Sequence, residues 1–126
     1  MIRVAHIGDQ HFDAANRWEE CQRVMAWIAD DVESRQVDLV VLAGDLFNRR
    51  PTPAETNAVG DWLLHLAETA PVVGVYGNHD VPGSLDIYNH LESRHPVVFH
   101  ATPTVHVAAG VAIACLPWPR RAHLLA

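Results

Sequence analysis

Cysteine is scarce in this chain of 126 residues: Cys21 and Cys115 stand alone, with no C-x-x-C spacing. At most one bridge can form, which excludes a disulfide-stapled scaffold and leaves each thiol as a small buried apolar side chain. Long apolar runs are also lacking. Polar residues interrupt every one before membrane-spanning length, so no membrane partner is expected. The start, Met1-Ile2-Arg3-Val4, has no charged region ahead of an apolar one, so a reducing, cytoplasmic setting is the plain expectation. Positive charge is short as well. A formal net charge of −6 argues against a general nucleic-acid coat, which needs many Lys and Arg to neutralise phosphates. It leaves phosphate chemistry open, because bound cations supply positive charge and acidic residues are what they need. There is no internal repeat, low-complexity tract or linker, so one domain over residues 1–126 is expected.

What is present supports a real core: 49% of residues are apolar, four of them Trp, which argues against disorder. Ile2 to Gly8 reads as a buried strand. Asn16 and Glu19 have capping-box spacing and open a helix to about Arg35, with Trp18, Cys21, Val24, Met25, Ile28 and Val32 as its apolar stripe. Val37 to Ala43 is an almost unbroken apolar run, as in parallel strands covered on both faces. Thr52-Pro53-Ala54-Glu55 offers an N-cap, a first-turn Pro and a capping Glu for a second helix striped by Val59, Leu63 and Leu66. Val72 to Tyr76 reads as a third strand. The order is β-α-β-α-β, which predicts an α/β fold with a parallel sheet. Beyond it, Ser84 to Ser93 reads as a short helix. Val97–Phe99, Thr104–Ala108 and Val111–Leu116 read as strands, the last two joined by an Ala109-Gly110 turn.

Three strand ends finish in short polar motifs: Asp9-Gln10-His11, Gly44-Asp45 and Gly77-Asn78-His79-Asp80. Ligands of open α/β sheets bind where such loops gather, at the carboxyl ends of the strands. Singly, each motif is an ordinary turn. Together, at successive strand ends, they are hard to explain as turns. Asp9 and His11, two apart on extended backbone, project to one side and suit one metal. Asp45 can bridge to a second ion, and Asn78 offers that ion an amide oxygen. This mixed donor set suits Mn2+, Fe2+ or Zn2+. His79 can protonate a leaving alkoxide or hydrogen-bond a phosphoryl oxygen. Asp80 either orients His79 or caps the next turn. His6 is expected on the sheet face or in the core, and Arg49-Arg50 and Arg120-Arg121 as exposed pairs.

These strings resemble the calcineurin-like metallophosphoesterase superfamily, whose signature is D-x-H, then G-D, then G-N-H-D/E. Within it the chain looks most like the SbcD-type exonuclease subunit of DNA-repair complexes. The supporting strings are His6-Ile7-Gly8-Asp9-Gln10-His11, Gly44-Asp45-Leu46-Phe47-Asn48, Tyr76-Gly77-Asn78-His79-Asp80 and Leu116-Pro117-Trp118. The resemblance implies a layered α/β/β/α metallophosphoesterase sandwich. It assigns Asp9 and His11 to a first metal, Asp45 as the bridge, Asn78 to a second metal and His79 as the catalytic histidine. It further implies Mn2+ as the activating ion, DNA as substrate and an ATPase partner subunit of the SbcC kind.

The family's later ligands, a lone histidine and a G-H-x-H motif, have no counterpart here. The chain is therefore expected to hold the N-terminal part of the catalytic domain: the first sheet and the start of the second. An unpaired strand edge would then invite a homodimer. Three functions stay open: a DNA phosphodiesterase, a small-molecule phosphodiesterase or phosphatase, and a non-catalytic fragment that binds a metal or partner.

Overall fold

The computed structural model describes residues 1–125 and lays four short apolar segments side by side in one parallel sheet. They are β1 (Val4–Ile7), β2 (Leu39–Leu42), β3 (Val72–Val75) and β4 (Val97–His100), in sheet order β1-β2-β3-β4. The register pairs Val4 with Leu39, Val40 with Val72, and Val72 with Val97. The sheet thus extends one strand beyond the β-α-β-α-β unit. Alternation along each strand sorts the side chains into two layers. Ala5, Ile7, Val40, Leu42, Val72, Val97 and Phe99 join the helix-side core, while Leu39, Val41, Val73 and Val75 face the other way. β1 is an edge strand and is less buried than its composition suggests, since Val4 and His6 lie exposed on the face away from the helices.

The second helix is capped as its sequence predicts, and the first is not. α1 (Trp18–Ser34) and α2 (Pro53–Thr69) pack together on the same face of the sheet. At α2 the Thr52 hydroxyl accepts the Glu55 N–H at 3.3 Å, and the Glu55 carboxylate accepts the Thr52 N–H at 3.2 Å. This satisfies two donors that a helix start leaves orphaned. The Asn16–Glu19 capping box does not form. Asn16 donates its own N–H to the Asp13 carbonyl in a turn, and the chain enters α1 through Arg17 in the left-handed region with no side-chain cap. Met25, Ala29 and Val32 are the buried residues of α1. Trp18, Cys21 and Ile28 pack partly buried against the core, and Val24 stays outside at 46% exposure. The Trp62 indole N–H crosses from α2 to the Met25 carbonyl at 2.8 Å.

The opposite face of the sheet carries an antiparallel hairpin, β5 (Thr104–Ala108) and β6 (Val111–Cys115). Ala109 and Gly110 both have positive φ, as a tight two-residue hairpin turn requires. Cys115 buries against Leu39 and Val73, with Ala108, Val111 and Ile113 packed around them. The result is helices, a parallel sheet of four strands, and a second small sheet, consistent with part of a layered metallophosphoesterase fold. Where a short helix over Ser84 to Ser93 was expected, a 3-10 turn covers Asp86–His90, and α3 (Arg121–Leu124) follows the hairpin. Both thiols are free, Cys115 buried and Cys21 half-buried.

Candidate metal centre

Past Ile7 the chain stays tied to the segment that follows β2. Asp9 donates its N–H to the Gly44 carbonyl at 3.2 Å, His11 to Asp45 at 2.9 Å and Phe12 to Leu46 at 2.7 Å. Phe12 and Phe47, both buried, close the zipper as an isolated parallel bridge. The backbone within it is not extended, contrary to the spacing argument for Asp9 and His11. Asp9, His11 and Asp45 have φ of 56°, 46° and 56°, in the left-handed region. Asp and His tolerate that region better than most residues, and such backbone persists where surroundings over-determine it, often at functional sites.

These turns aim three donors at one point. His11 Nε2 lies 3.7 Å from Asp9 Oδ1 and 3.8 Å from Asp45 Oδ2, and one ligand atom from each residue lies within 4.8 Å of the others. The Asp45 side chain is 12% exposed and that of Asp9 79%, so the cluster opens to solvent on the Asp9 side. A terminal atom of the Asn78 amide lies 3.3 and 3.0 Å from the two Asp45 carboxylate oxygens. As an NH2 it donates to them. As an oxygen it joins the Asp45 carboxylate in a group of acceptors that suits a cation. The donor set of carboxylate, imidazole and amide oxygen therefore fits a divalent metal.

Two glycines and one aspartate bring the Asp45 and Asn78 loops this close. A β-carbon on Gly44, whose φ is 100°, would lie 2.6 Å from the Gly77 nitrogen. One on Gly77 would lie 2.2 Å from Asp45 Oδ1. Asp80 is 1% exposed, and its carboxylate accepts the N–H groups of Asp45 and Gly77 at 2.8 Å and of Phe47 at 3.1 Å. It neither orients His79 nor caps a following turn; it staples one loop to the other. Burial pushes its carboxyl up from the usual value, the charge of Asp45 adds to this, and the three N–H bonds oppose it. The His79 N–H donates to Asp45 Oδ1 at 2.9 Å, and its ring lies edge-on to that of His11 with centroids 5.3 Å apart. Its Nδ1 is 3.2 Å from the Asn48 carbonyl, a pure acceptor, so the proton belongs on Nδ1 and Nε2 is left free.

Comparison with known proteins decides the family. Residues 2–117 match the family of calcineurin-like phosphoesterases. The chain belongs to that family. It is 30% identical over 122 residues to the SbcD subunit of the nuclease SbcCD from Escherichia coli (strain K12), covering 92% of this chain and 29% of that protein. It is 34% identical over 95 residues to the DNA double-strand break repair protein Mre11 of Archaeoglobus fulgidus, covering 73% and 21%. To the SbcD subunit of the nuclease SbcCD from Bacillus subtilis (strain 168) it is 28% identical, covering 98% and 35%. The chain thus spans 21–35% of the length of these curated relatives.

The family uses divalent metals, and this calcineurin-like phosphoesterase chain gathers Asp9, His11 and Asp45 as one candidate group. A second group, Asp30, Glu33 and His65, is largely exposed across α1 and α2, away from the strand ends. One support of the candidate centre has little signature in the sequence. Arg49, expected in an exposed pair, reaches Asp13 Oδ1 at 2.9 Å and Glu55 Oε1 at 3.0 Å. Glu55, fully buried, also accepts the Ala14 N–H at 3.1 Å, so one carboxylate ties together the loops after β1 and β2 and the start of α2. Gln10, between the two motif residues, is buried with neither amide atom partnered. Only the R-x5-E spacing within one loop hints at the Arg49–Glu55 pair. No helix among the described residues is long and apolar enough to cross a membrane.

Proposed function

We propose that this chain carries the metal-binding part of a phosphodiesterase that cleaves DNA, of the same kind as the nucleases it resembles. The observation that carries the proposal is the convergence of Asp9, His11 and Asp45, all on left-handed backbone, beside Asn78. Asp9 and His11 would hold one divalent ion, Asp45 would bridge, and Asn78 would hold a second, with Mn2+ the best match and Fe2+ or Zn2+ also suited to these donors. Two such ions, when bound, activate water and neutralise charge on the phosphoryl oxygens. The chain's own residues then position and move protons. The Asn48 carbonyl holds His79 Nδ1–H, so the ring would act as an acid only after a second proton has been taken up on Nε2, which it could then pass to the leaving oxygen or donate to a phosphoryl oxygen. The His79 N–H anchors the Asp45 carboxylate and the Asp80 carboxylate anchors its backbone, so the residue that would bridge is held in a fixed position.

The names of the relatives, a DNA double-strand break repair protein and a subunit of the nuclease SbcCD, favour DNA as substrate and a complex as setting, and the family resemblance makes an SbcC-type ATPase the partner. The net charge of −6 favours a second reading, a small phosphodiester as substrate, because it offers little attraction to a polyanion. Among the described residues the first ion would have three donors and the second two, Asp45 and Asn78, so the second site would need a further donor, from another copy or another segment. The hairpin shows exposed Val105 and Val107, at 67% and 70%, to such a copy. The test is Mn2+-dependent hydrolysis of single-stranded DNA against a small aryl phosphodiester by the purified chain. DNA cleavage lost in Asp45→Asn and His79→Ala supports the nuclease reading; hydrolysis of the aryl diester alone supports the second.

A further inference from the structure

Beside the candidate metal centre runs a groove of about 220 Å3 between the end of β3 and the segment after β6, lined by Tyr76, Gly77, Pro82, Gly83, Trp118 and Arg120. Gly77 is the wall that the groove shares with the metal centre: one side of its backbone is packed against Asp45, and another faces the groove. The floor is rigid. The Tyr76 hydroxyl donates to Asp86 Oδ1 at 2.6 Å and accepts the Leu85 N–H at 2.9 Å. Trp118 is tied to that floor, since its N–H donates to the Tyr76 carbonyl at 2.9 Å. The residue nevertheless remains 58% exposed.

We propose that this groove is a nucleobase subsite, in which Trp118 stacks on the base of the nucleotide next to the scissile phosphate and Arg120 meets an adjoining phosphate. The inference rests on the phosphodiesterase reading and names the part of the substrate that lies against this wall. The chemistry matches on each side. An exposed indole offers a flat π-face that any base can use, whereas a bare sugar phosphate has nothing to place there. Pro82 and Gly83 add an apolar wall that makes no hydrogen-bonding demand on base edges, so the subsite is tolerant of base identity. Arg120 gives the mouth a guanidinium, whose fork suits phosphate oxygens. The phosphate next to the stacked nucleoside is thereby led along Gly77 toward Asn78 and Asp45.

The test uses two strands of equal charge: a thymidine tetranucleotide and the same strand built of abasic units. Each is titrated into the purified chain with and without Mg2+, followed by calorimetry and by the indole N–H resonances, that of Trp118 being assigned by its loss in Trp118→Ala. The thymidine strand is expected to shift the Trp118 resonance and to bind roughly tenfold more tightly than the abasic one, as base-on-aromatic stacking allows. Trp118→Ala should erase that preference, Trp118→Phe should keep most of it, and Arg120→Ala should weaken both strands alike. Equal affinity for the two strands, binding of neither, or a preference that survives Trp118→Ala overturns the proposal. Failure to bind Mn2+ in a separate titration, with the base preference intact, would count against the metal centre and leave the subsite standing.

Discussion

Gly77 fills a position that no larger residue can take without moving Asp45. The β-carbon of an alanine would lie 2.3 Å from the Asp45 nitrogen and 2.2 Å from its Oδ1, so backbone and ligand must both shift. Gly77→Ala is therefore expected to lower stability by about 1–3 kcal/mol, the usual cost of overpacking, and to weaken metal binding at the same time. Urea denaturation and metal titration of the variant check both effects; stability and affinity equal to the parent chain would contradict the crowding. That Asp9, His11, Asp45 and Asn78 follow strand ends and gather at one side of the sheet was legible from the motifs, because each motif follows a recognisable strand. Their left-handed backbone, at Asp9, His11 and Asp45, was not, since residue spacing carries no information about φ. The staple role of Asp80 was hidden for a different reason: its partners Asp45 and Phe47 lie 35 and 33 residues away.

At the scale of elements, local signals read truly where nothing competed with them. Thr52-Pro53-Ala54-Glu55 contains its whole capping box within four residues, and α2 begins there. Asn16 and Glu19 have the same spacing, but the Asp13 carbonyl takes the Asn16 N–H and the helix entry slips to Arg17. The Glu55 side chain does more than cap, since it also holds Arg49 and the Ala14 N–H. Glu55→Ala leaves these donors without their acceptor at a buried point. Breaking a wholly buried pair costs about 3–5 kcal/mol, and the partial exposure of Arg49 lowers that toward about 2–3 kcal/mol. Thermal or urea unfolding measures it. A loss no larger than that from Arg35→Ala, whose pairing with Asp31 sits on the exposed face of α1, would contradict this role for Glu55.

At the scale of the whole molecule, the two sheets meet, among the described residues, through a small apolar cluster and a polar contact. His100 at the end of β4 and His106 in β5 share a ring-to-ring hydrogen bond of 2.8 Å. Burial, with the neighbouring His106 in support, holds the His100 imidazole below its ordinary value of 6.5. The folded state therefore favours neutral His100. Its stability is full above about pH 6.5 and falls as the pH drops from there toward the depressed value. The urea midpoint is expected to decline between pH 7.5 and pH 5 more steeply for the parent chain than for His106→Gln, which removes the second imidazole. Identical pH dependence in the two would contradict the coupling. The parallel sheet and the hairpin were legible from the strand patterns, and their layering only from the family resemblance. This joint was not, because it pairs two histidines that carry no shared motif.

The central claim, that Asp9, His11, Asp45 and Asn78 form a divalent-metal centre, is tested most directly by calorimetric titration of the metal-free chain with Mn2+, beside Asp45→Asn. The predicted result is saturable Mn2+ binding that Asp45→Asn weakens at least about a hundredfold, the upper range for loss of a supporting group around a bound metal and a lower bound for loss of a ligand. Saturable binding untouched by Asp45→Asn, or no binding by the folded chain, would contradict it.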